Sequence, residues 1–342
     1  GPIMAKGAED RAFYRYLRLA SLCEVGGSPG IFGIDVDAFH DEAIERHRRW
    51  PRSMLAASTH DTKRSADVRA RSAALTWRVA REPRAVMRLR AWVDDLVSAT
   101  DVHPADAWLA LQTVICTVGL DAERHGAYIL KAAREAELRT SWVAPDREYE
   151  AALVECAHRA LDIDVSPLQL GTLAAGISLA RRTLHLTAPG VADIYQGTET
   201  LSYRLVDPDN RVPPDWAALG AAGALDATVA SLWADGDDRC MTVLIRELLH
   251  LRRRRAASFD AASPYEPIDV GPGAIAYRRG GDVVVLVRRG AAFVDTSITL
   301  PEGVWHDVAD PSSPGLWGES ATASIIGSDD DGTLPVAILE RD

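Results

Sequence analysis

The stretch Met54-Leu55-Ala56-Ala57-Ser58-Thr59-His60-Asp61-Thr62-Lys63-Arg64 runs from a short apolar piece into an imidazole, a carboxylate and two cations within five positions. A helical pattern follows from Val68 onward. Catalytic groups of (β/α)₈ barrels sit where a strand's C-terminal end meets the loop above it, and this segment has that layout. A carboxylate flanked by His60 and Lys63 stays ionised, because neighbouring positive charge and hydrogen bonds favour its charged form. Such a group can bind sugar hydroxyls or stabilise an oxocarbenium-like centre. The plainer alternative is a helix N-terminus, with Thr59 or Asp61 as the cap and Lys63 and Arg64 in water.

Outward from this segment the texture changes by region. Residues 1–65 mix short apolar pieces with Gly26, Gly27, Pro29, Gly30 and Gly33. From Val68 to about Ala160 the pattern is helix after helix, broken at Pro83 and restarted at Asp101 to Pro104. A further helix over 168–186 stops at Pro189-Gly190, and Val191 to Tyr195 reads as a strand leading into a loop. Asp207 to Trp216 is a proline-rich loop, and 241–255 is a helix whose terminal Arg252 to Arg255 favour its C-terminal dipole. After Ser263-Pro264 short β-rich runs follow: Ala274 to Tyr277, Val283 to Val287 and Val294 to Leu300. The pattern gives an α/β region with a helical insertion and an appended all-β tail. Trp142 and Tyr149 read first as core of the helical block and second as sugar platforms.

Composition excludes several classes. The chain carries 38 Lys and Arg against 49 Asp and Glu, a net charge of -11, so generic nucleic-acid binding is not expected. No apolar run approaches the roughly 20 residues that span a bilayer, so no membrane partner is expected. Cys23, Cys116, Cys156 and Cys240 form no CxxC pair, which argues against a zinc site and for reduced thiols in the cytoplasm.

Several stretches together resemble the maltooligosyltrehalose synthases of the α-amylase superfamily. His60-Asp61 matches that superfamily's fourth conserved region, and Thr59-His60-Asp61-Thr62-Lys63-Arg64 resembles the version in this family. Met4-Ala5-Lys6-Gly7 through Glu9-Asp10-Arg11-Ala12-Phe13-Tyr14-Arg15-Tyr16 and then Glu24-Val25-Gly26-Gly27 resemble the family's upstream segments. Lys131-Ala132-Ala133-Arg134-Glu135-Ala136 with Thr140-Ser141-Trp142 resembles its helical insertion. Pro189-Gly190-Val191-Ala192-Asp193-Ile194-Tyr195-Gln196-Gly197-Thr198-Glu199 resembles its last barrel strand, followed by Leu205-Val206-Asp207-Pro208-Asp209-Asn210-Arg211. The chain departs from the pattern at Cys23 for Asn, at Arg11 for Thr, and at Ser65-Ala66-Asp67 for Gly-Glu-Asp.

The resemblance implies the C-terminal part of a (β/α)₈ TIM barrel with a long helical insertion, then a small β-sandwich. The implied divisions are 1–65 with the His-Asp region, 66–172 for the insertion, 173–262 for the last barrel strand and helices, and 263–342 for the sandwich. It implies Asp61 as the carboxylate that stabilises the transition state, with His60 beside it. Lys63 and Arg64 would hold hydroxyls or neighbouring carboxylates, and Tyr195, Gln196 and Glu199 would build the pocket wall. Asp207, Asp209, Asn210 and Arg211 would shape the adjoining loop, where a simple turn is the equal alternative. Glu199 pairing with Arg204 is likewise an alternative to a place in the wall.

The implied reaction converts the reducing-end α-1,4 linkage of a malto-oligosaccharide to α,α-1,1. It is an isomerisation by intramolecular glycosyl transfer, with no cofactor and no metal. A retaining mechanism needs an Asp nucleophile and a Glu acid/base about 5–5.5 Å apart. Nothing here resembles the regions that carry them, so the chain is expected to be about the second half of such an enzyme. Its expected partners are an α-glucan and the N-terminal half of the barrel. Two other readings stand beside this one. One is a plain α-glucan hydrolase of the superfamily; the other is a non-catalytic glucan-binding fragment.

Overall fold

A computed structural model of the chain describes residues 2–24, 27–59, 62–205, 209–328 and 332–342, the side chains of 2–6 and 210 excepted. In chain order the first helices are α1 (Pro2–Arg15), α2 (Val36–Arg49), α3 (Ala66–Arg81), α4 (Pro83–Thr100), α5 (Pro104–Cys116), α6 (Ala122–Ala136) and α7 (Arg147–Leu161). They are followed by α8 (Gly171–Thr187), α9 (Trp216–Gly223), α10 (Val229–Ala234), α11 (Cys240–Arg254), α12 (Ala256–Phe259) and α13 (Thr322–Ile326). The strands are β1 (Met54–Ala56), β2 (Val191–Asp193), β3 (Tyr265–Ile268), β4 (Ala274–Arg279), β5 (Val283–Arg288), β6 (Ser297–Thr299), β7 (Trp305–Asp307), β8 (Glu319–Ala321) and β9 (Val336–Arg341). These elements form two compact units: Gly1–Phe32 with His60–Leu170 and Tyr203–Arg211, and Gly33–Thr59 with Gly171–Ser202 and Val212–Asp342.

The first unit is helical, and local chemistry sets its punctuation. Ser65 caps α3, its hydroxyl accepting from Val68 N at 3.3 Å. The cap is therefore Ser65, in place of the expected Thr59 or Asp61, and α3 starts at Ala66. Pro83 opens α4 and Pro104 opens α5, the first-turn position where a missing N–H costs nothing. Asp121 and Asp146 cap α6 and α7, accepting from Arg124 N at 2.7 Å and Tyr149 N at 3.0 Å. Helix α5 is apolar around most of its circumference and lies at the centre of the unit, with Ala107, Ala110, Leu111 and Ile115 fully buried.

The two aromatics read as core behave differently. Tyr149 is tied inward, donating to Asp106 Oδ2 at 2.6 Å and accepting from His103 N at 3.0 Å. Trp142 is 56% exposed, so it is not core.

In the second unit β1 and β2 form a two-stranded parallel sheet with Leu55 opposite Ala192. Gly190 is required at its entry: φ is +128°, and a Cβ there would lie 2.7 Å from Leu55 Cγ. The expected strand from Val191 to Tyr195 ends at Asp193. Among the described residues this pair is the whole of the parallel sheet.

The C-terminal part forms an antiparallel sheet in the order β3-β4-β5-β9-β7. Both faces of β5 are covered, which explains why Val283 to Val287 reads as a continuous apolar run instead of an alternating one. Val283, Val285 and Val287 pack with α8 and α11 through Leu179, Leu244 and Leu248. Val284 and Leu286 pack with Ile298, Leu300 and Ile326. Each of these buried aliphatic side chains contributes about 1.5–3 kcal/mol. The layer opposite the helices is only the β6–β8 ribbon with α13, a smaller cover than a full second sheet. The run Val294 to Leu300 keeps strand geometry over Ser297–Thr299 alone. Helix α11 ends in the arginine run as expected, with Arg252 donating to Leu186 O at 2.7 Å and Arg255 Nε to Glu340 at 2.7 Å.

All four cysteines are buried and free. Among the described residues, no helix is long and apolar enough to cross a membrane, and no cluster of His, Cys, Asp or Glu could hold a metal ion.

Candidate functional site

His60 and Asp61, like Asp207, lie outside the described residues. The residues that follow them in the first unit are held from several directions. Helix α1 runs into a short 3-10 turn, Ala20–Leu22, which Gln112 of α5 pins. Its side chain accepts from Ala20 N at 3.0 Å and donates to Leu17 O at 2.8 Å. That turn delivers Glu24, whose carboxylate oxygens accept from Lys63 N at 2.9 and 3.0 Å, with Arg64 N at 3.4 Å from one of them. A carboxylate thus orders the backbone that follows the His-Asp pair.

The two cations there have separate environments. Lys63 Nζ lies 2.6 Å from Asp10 Oδ1 and 6.0 Å from the centre of the Tyr14 ring, both on α1. These charged side chains are about one-fifth exposed, at 19% and 22%. Arg64 is 7% exposed and donates inward, from Nη1 to Ala20 O at 3.0 Å and from Nη2 to Tyr128 Oη at 2.5 Å. Its backbone forms a β-bridge with Leu205. Arg64 therefore fastens the Ala20–Leu22 turn, α6 and the 203–205 segment together from inside the unit.

Burial pushes the Tyr14 phenol far above its usual range and raises the Cys23 thiol to about 11. Cys23, the departure from the expected Asn, donates from Sγ to Tyr16 O at 3.3 Å. Arg11, another departure, pairs with Glu137 at 2.8 Å. Ala66, standing for a carboxylate, is the buried first residue of α3.

The 209–211 loop closes the same unit. Asp209 accepts from Arg124 Nε at 2.7 Å, joining a 3-10 turn, Asp209–Arg211, to the start of α6. Arg211 is exposed, and the side chain of Asn210 lies outside the described ones.

In the second unit Tyr195, Gln196 and Glu199 sit on the loop after β2. Tyr195 O accepts from Thr198 N at 3.0 Å and from Thr198 Oγ1 at 2.6 Å, and Gly197 supplies the positive φ of +79° at that turn. Arg182 of α8 donates to Thr198 O at 2.6 Å, and Thr242 of α11 donates to Glu199 O at 2.9 Å. The loop backbone is thereby fixed while Gln196 stays exposed. Glu199 Oε2 is buried and has no hydrogen-bond partner among the described residues.

Sequence reading named Lys63 and Arg64 and missed the groups that hold them. Asp10, Tyr14 and Glu24 lay within the stretches that carry the resemblance, so the signal was present. Their mutual contacts were not, because nothing in the spacing from residue 10 to 63 encodes a distance. Tyr128 and Arg124 carried no signal at all.

No family model matches the chain. It aligns over its full length, at 35% identity, with a protein of Mycobacterium tuberculosis (strain H37Rv) that carries the provisional name maltooligosyl trehalose synthase. The protein of strain CDC 1551 / Oshkosh matches equally. The chain spans 44% of the length of these curated relatives. The solved maltooligosyltrehalose synthase of Arthrobacter ramosus is similar over 99% of this chain and 45% of its own, at 33% identity and a TM-score of 0.81. A hypothetical maltooligosyl trehalose synthase of Sulfolobus tokodaii is similar over 97% of this chain and 45% of its own, at 28% identity and a TM-score of 0.77.

Proposed function

We propose that this chain, related along its whole length to the maltooligosyltrehalose synthases, supplies the later part of such an enzyme's glucan-converting site. The observation that carries this reading is the convergence of separate stretches on Lys63 and Arg64. Asp10 and Tyr14 come from the first stretch, Glu24 from the second and Tyr128 from the helix that holds the Lys131 segment. These groups order the backbone directly after His60-Asp61.

On this reading β1 and β2 are neighbouring strands of a (β/α)₈ barrel whose other strands belong to the remainder of the enzyme. The parallel pairing of Met54–Ala56 with Val191–Asp193 supports it. Asp61 is the carboxylate that stabilises the oxocarbenium-like centre, and His60 is its neighbour at the scissile sugar. Lys63 is screened by Asp10 and faces the sugar's hydroxyls with its remaining donors. Arg64 acts by positioning, since its donors are engaged inside the unit. Tyr195, Gln196 and Glu199 are the residues of the loop after β2 that this reading assigns to sugar contact, and it gives Asp207, Asp209, Asn210 and Arg211 the same kind of role on their own loop.

The reaction we assign is isomerisation by intramolecular glycosyl transfer. A carboxylate outside this chain attacks the anomeric carbon, and the O4 of the reducing-end glucose leaves, protonated by a second acid. The anomeric hydroxyl of the released glucose then attacks the glycosyl-enzyme carbon, the carboxylate departs, and the proton returns to that acid's conjugate base. No atoms are gained or lost. Water must stay out long enough for glucose to compete, which requires a closed pocket. The helical insertion is the segment we assign to its lid.

The test is to incubate the chain with maltohexaose, alone and with the supplied N-terminal part of a relative, and follow reducing ends. Loss only in the mixture, abolished by Asp61→Asn, is the expected result. Loss with the chain alone, or persistence of turnover in Asp61→Asn, removes this assignment.

A further inference from the structure

Trp142 is an exposed ring whose orientation is nevertheless fixed. Its Nε1 donates to Glu135 Oε1 at 3.0 Å, and the Arg134 guanidinium carbon lies 4.8 Å from the ring centre. Arg134 is itself locked, donating from Nε and Nη2 to the two oxygens of Glu150 at 2.8 and 2.7 Å. Glu150 also accepts from Thr140 Oγ1 at 2.7 Å, and that hydroxyl accepts from Asp146 N at 3.1 Å. Ser141 Oγ accepts from Ala144 N at 2.9 Å. The segment that presents the ring is therefore tied on both sides of it, and the guanidinium lies over a ring that is otherwise largely in water.

A shallow surface depression of about 370 Å³ lies beside Trp142 in the chain, lined by the residues on either side of it, Glu137, Arg139, Thr140, Ser141 and Val143 among them, and not by the ring itself. Val143 is 96% exposed. The rim thus combines an apolar edge with the Ser141 hydroxyl, the Glu137 carboxylate and the Arg139 guanidinium, the last held in place by Asp106 at 2.7 and 2.8 Å. A flat ring with a polar rim matches a pyranose, whose axial C–H groups form an apolar face and whose hydroxyls form a polar edge. Because the platform is already ordered, stacking on it carries little of the ordering cost that flexible side chains incur. The rim is also joined to the helix that carries Asp10 and Tyr14. Arg15 donates to Ala136 O at 2.7 Å, and Arg11 pairs with Glu137 at 2.8 Å.

We propose that Trp142 is the stacking platform of an α-glucan-binding site on the helical unit, with the depression at 137–144 receiving the sugar's hydroxyl edge. The class of ligand rests on the glucan reading given above; the existence of a platform rests on the geometry.

The test uses the full chain in affinity electrophoresis through gels containing amylopectin, with maltoheptaose titrations by calorimetry. Trp142→Ala is expected to abolish retardation and to weaken maltoheptaose at least about ten-fold, while Trp142→Phe keeps binding within about three-fold. Unchanged thermal melting of both variants shows that the fold is intact. Equal retardation of Trp142→Ala and the parent chain overturns the proposal, as does a parent chain that migrates unretarded. Reducing-end loss in the reconstituted mixture reads the enzymatic assignment separately. Turnover without Trp142-dependent binding sinks the platform alone. Trp142-dependent binding without turnover sinks the conversion reading alone.

Discussion

Lys63 Nζ and Asp10 Oδ1 lie 2.6 Å apart although 53 positions separate them in the chain. The pair is part-buried, so it falls between exposed ion pairs, worth about 0–1 kcal/mol, and buried pairs, whose disruption costs about 3–5 kcal/mol. A double-mutant cycle with Asp10→Asn and Lys63→Met is expected to give a coupling energy of about 1–2 kcal/mol in urea unfolding. Raising the salt concentration should leave most of it, since partly buried pairs are weakly screened. A coupling near zero would mean that the contact only reports surface proximity.

Arg64→Lys is formally conservative and is expected to be costly. A lysine cannot reach Ala20 O and Tyr128 Oη together as the planar guanidinium does. The loss is set at about 2–4 kcal/mol, because buried acceptors are left unpaired. Tyr128→Phe, which removes one partner and keeps the ring, should cost about 1–2 kcal/mol. Chemical denaturation of the three proteins gives the order directly, and equal stability of Arg64→Lys and the parent would contradict the positioning role.

Gly190→Ala probes the close approach of β1 and β2. The added methyl would meet Leu55 Cγ at 2.7 Å and Ser53 O at 3.0 Å, at a φ of +128° that L-residues rarely adopt. A loss of about 2–3 kcal/mol is expected from strain and overpacking together. Thermal unfolding monitored by near-ultraviolet circular dichroism measures it.

What the sequence made legible was local. Pro83, the Asp101–Pro104 break and the apolar run Val283 to Val287 each carry their own instruction, a missing N–H, a cap or a doubly buried strand, and each became an element close to its expected bounds. The Val294 to Leu300 run shortened because β-branched composition does not supply a pairing partner, and only Ser297–Thr299 finds one in β8. The helix cap fell on Ser65, not Thr59 or Asp61, since any of three polar residues fits the signal and only the chain's path chooses among them. The site was half visible for the same reason. Residue types at 60–64 announce chemistry, but the burial of Arg64 and the exposure of Trp142 depend on packing between distant helices. His60 and Asp61 themselves lie outside the described residues.

Glu150 gives a prediction on the acid side. Hydrogen bonds from Arg134, and then from Thr140, hold its carboxyl down at about 2, against an ordinary value of 4.5. A depressed folded-state value means that the stabilisation is complete above pH 4.5 and is lost as pH falls towards 2. Glu150→Gln should therefore cost about 2–4 kcal/mol at neutral pH, where it unpairs Arg134, and progressively less below pH 4.5. Urea unfolding of both proteins at pH 7, 4 and 3 checks the convergence; parallel curves would place the stabilisation elsewhere.

Asp307 carries the opposite sign. Its Oδ1 accepts from Ala309 N at 2.9 Å and Ile338 N at 3.0 Å, which ties β7 to β9 beyond their ladder. Burial nevertheless outweighs these bonds and pushes the carboxyl up to about 7 from 3.8. Between those values the folded chain retains a proton that the unfolded chain has released, so stability falls as pH rises through the window and levels off above it. Asp307→Asn keeps an Oδ1 that can accept both backbone bonds and removes the charge that must otherwise form in a desolvated place. It is expected to match the parent below pH 4 and exceed it at pH 8. The residue as a whole keeps part of its surface in water, so the gain is set at about 1–2 kcal/mol, below what the full shift would imply. Urea midpoints at pH 4 and pH 8 measure the difference. An asparagine variant that is less stable at pH 8 would show that the ionised carboxylate is needed as a stronger acceptor, and that its two backbone bonds outweigh the cost of burying it.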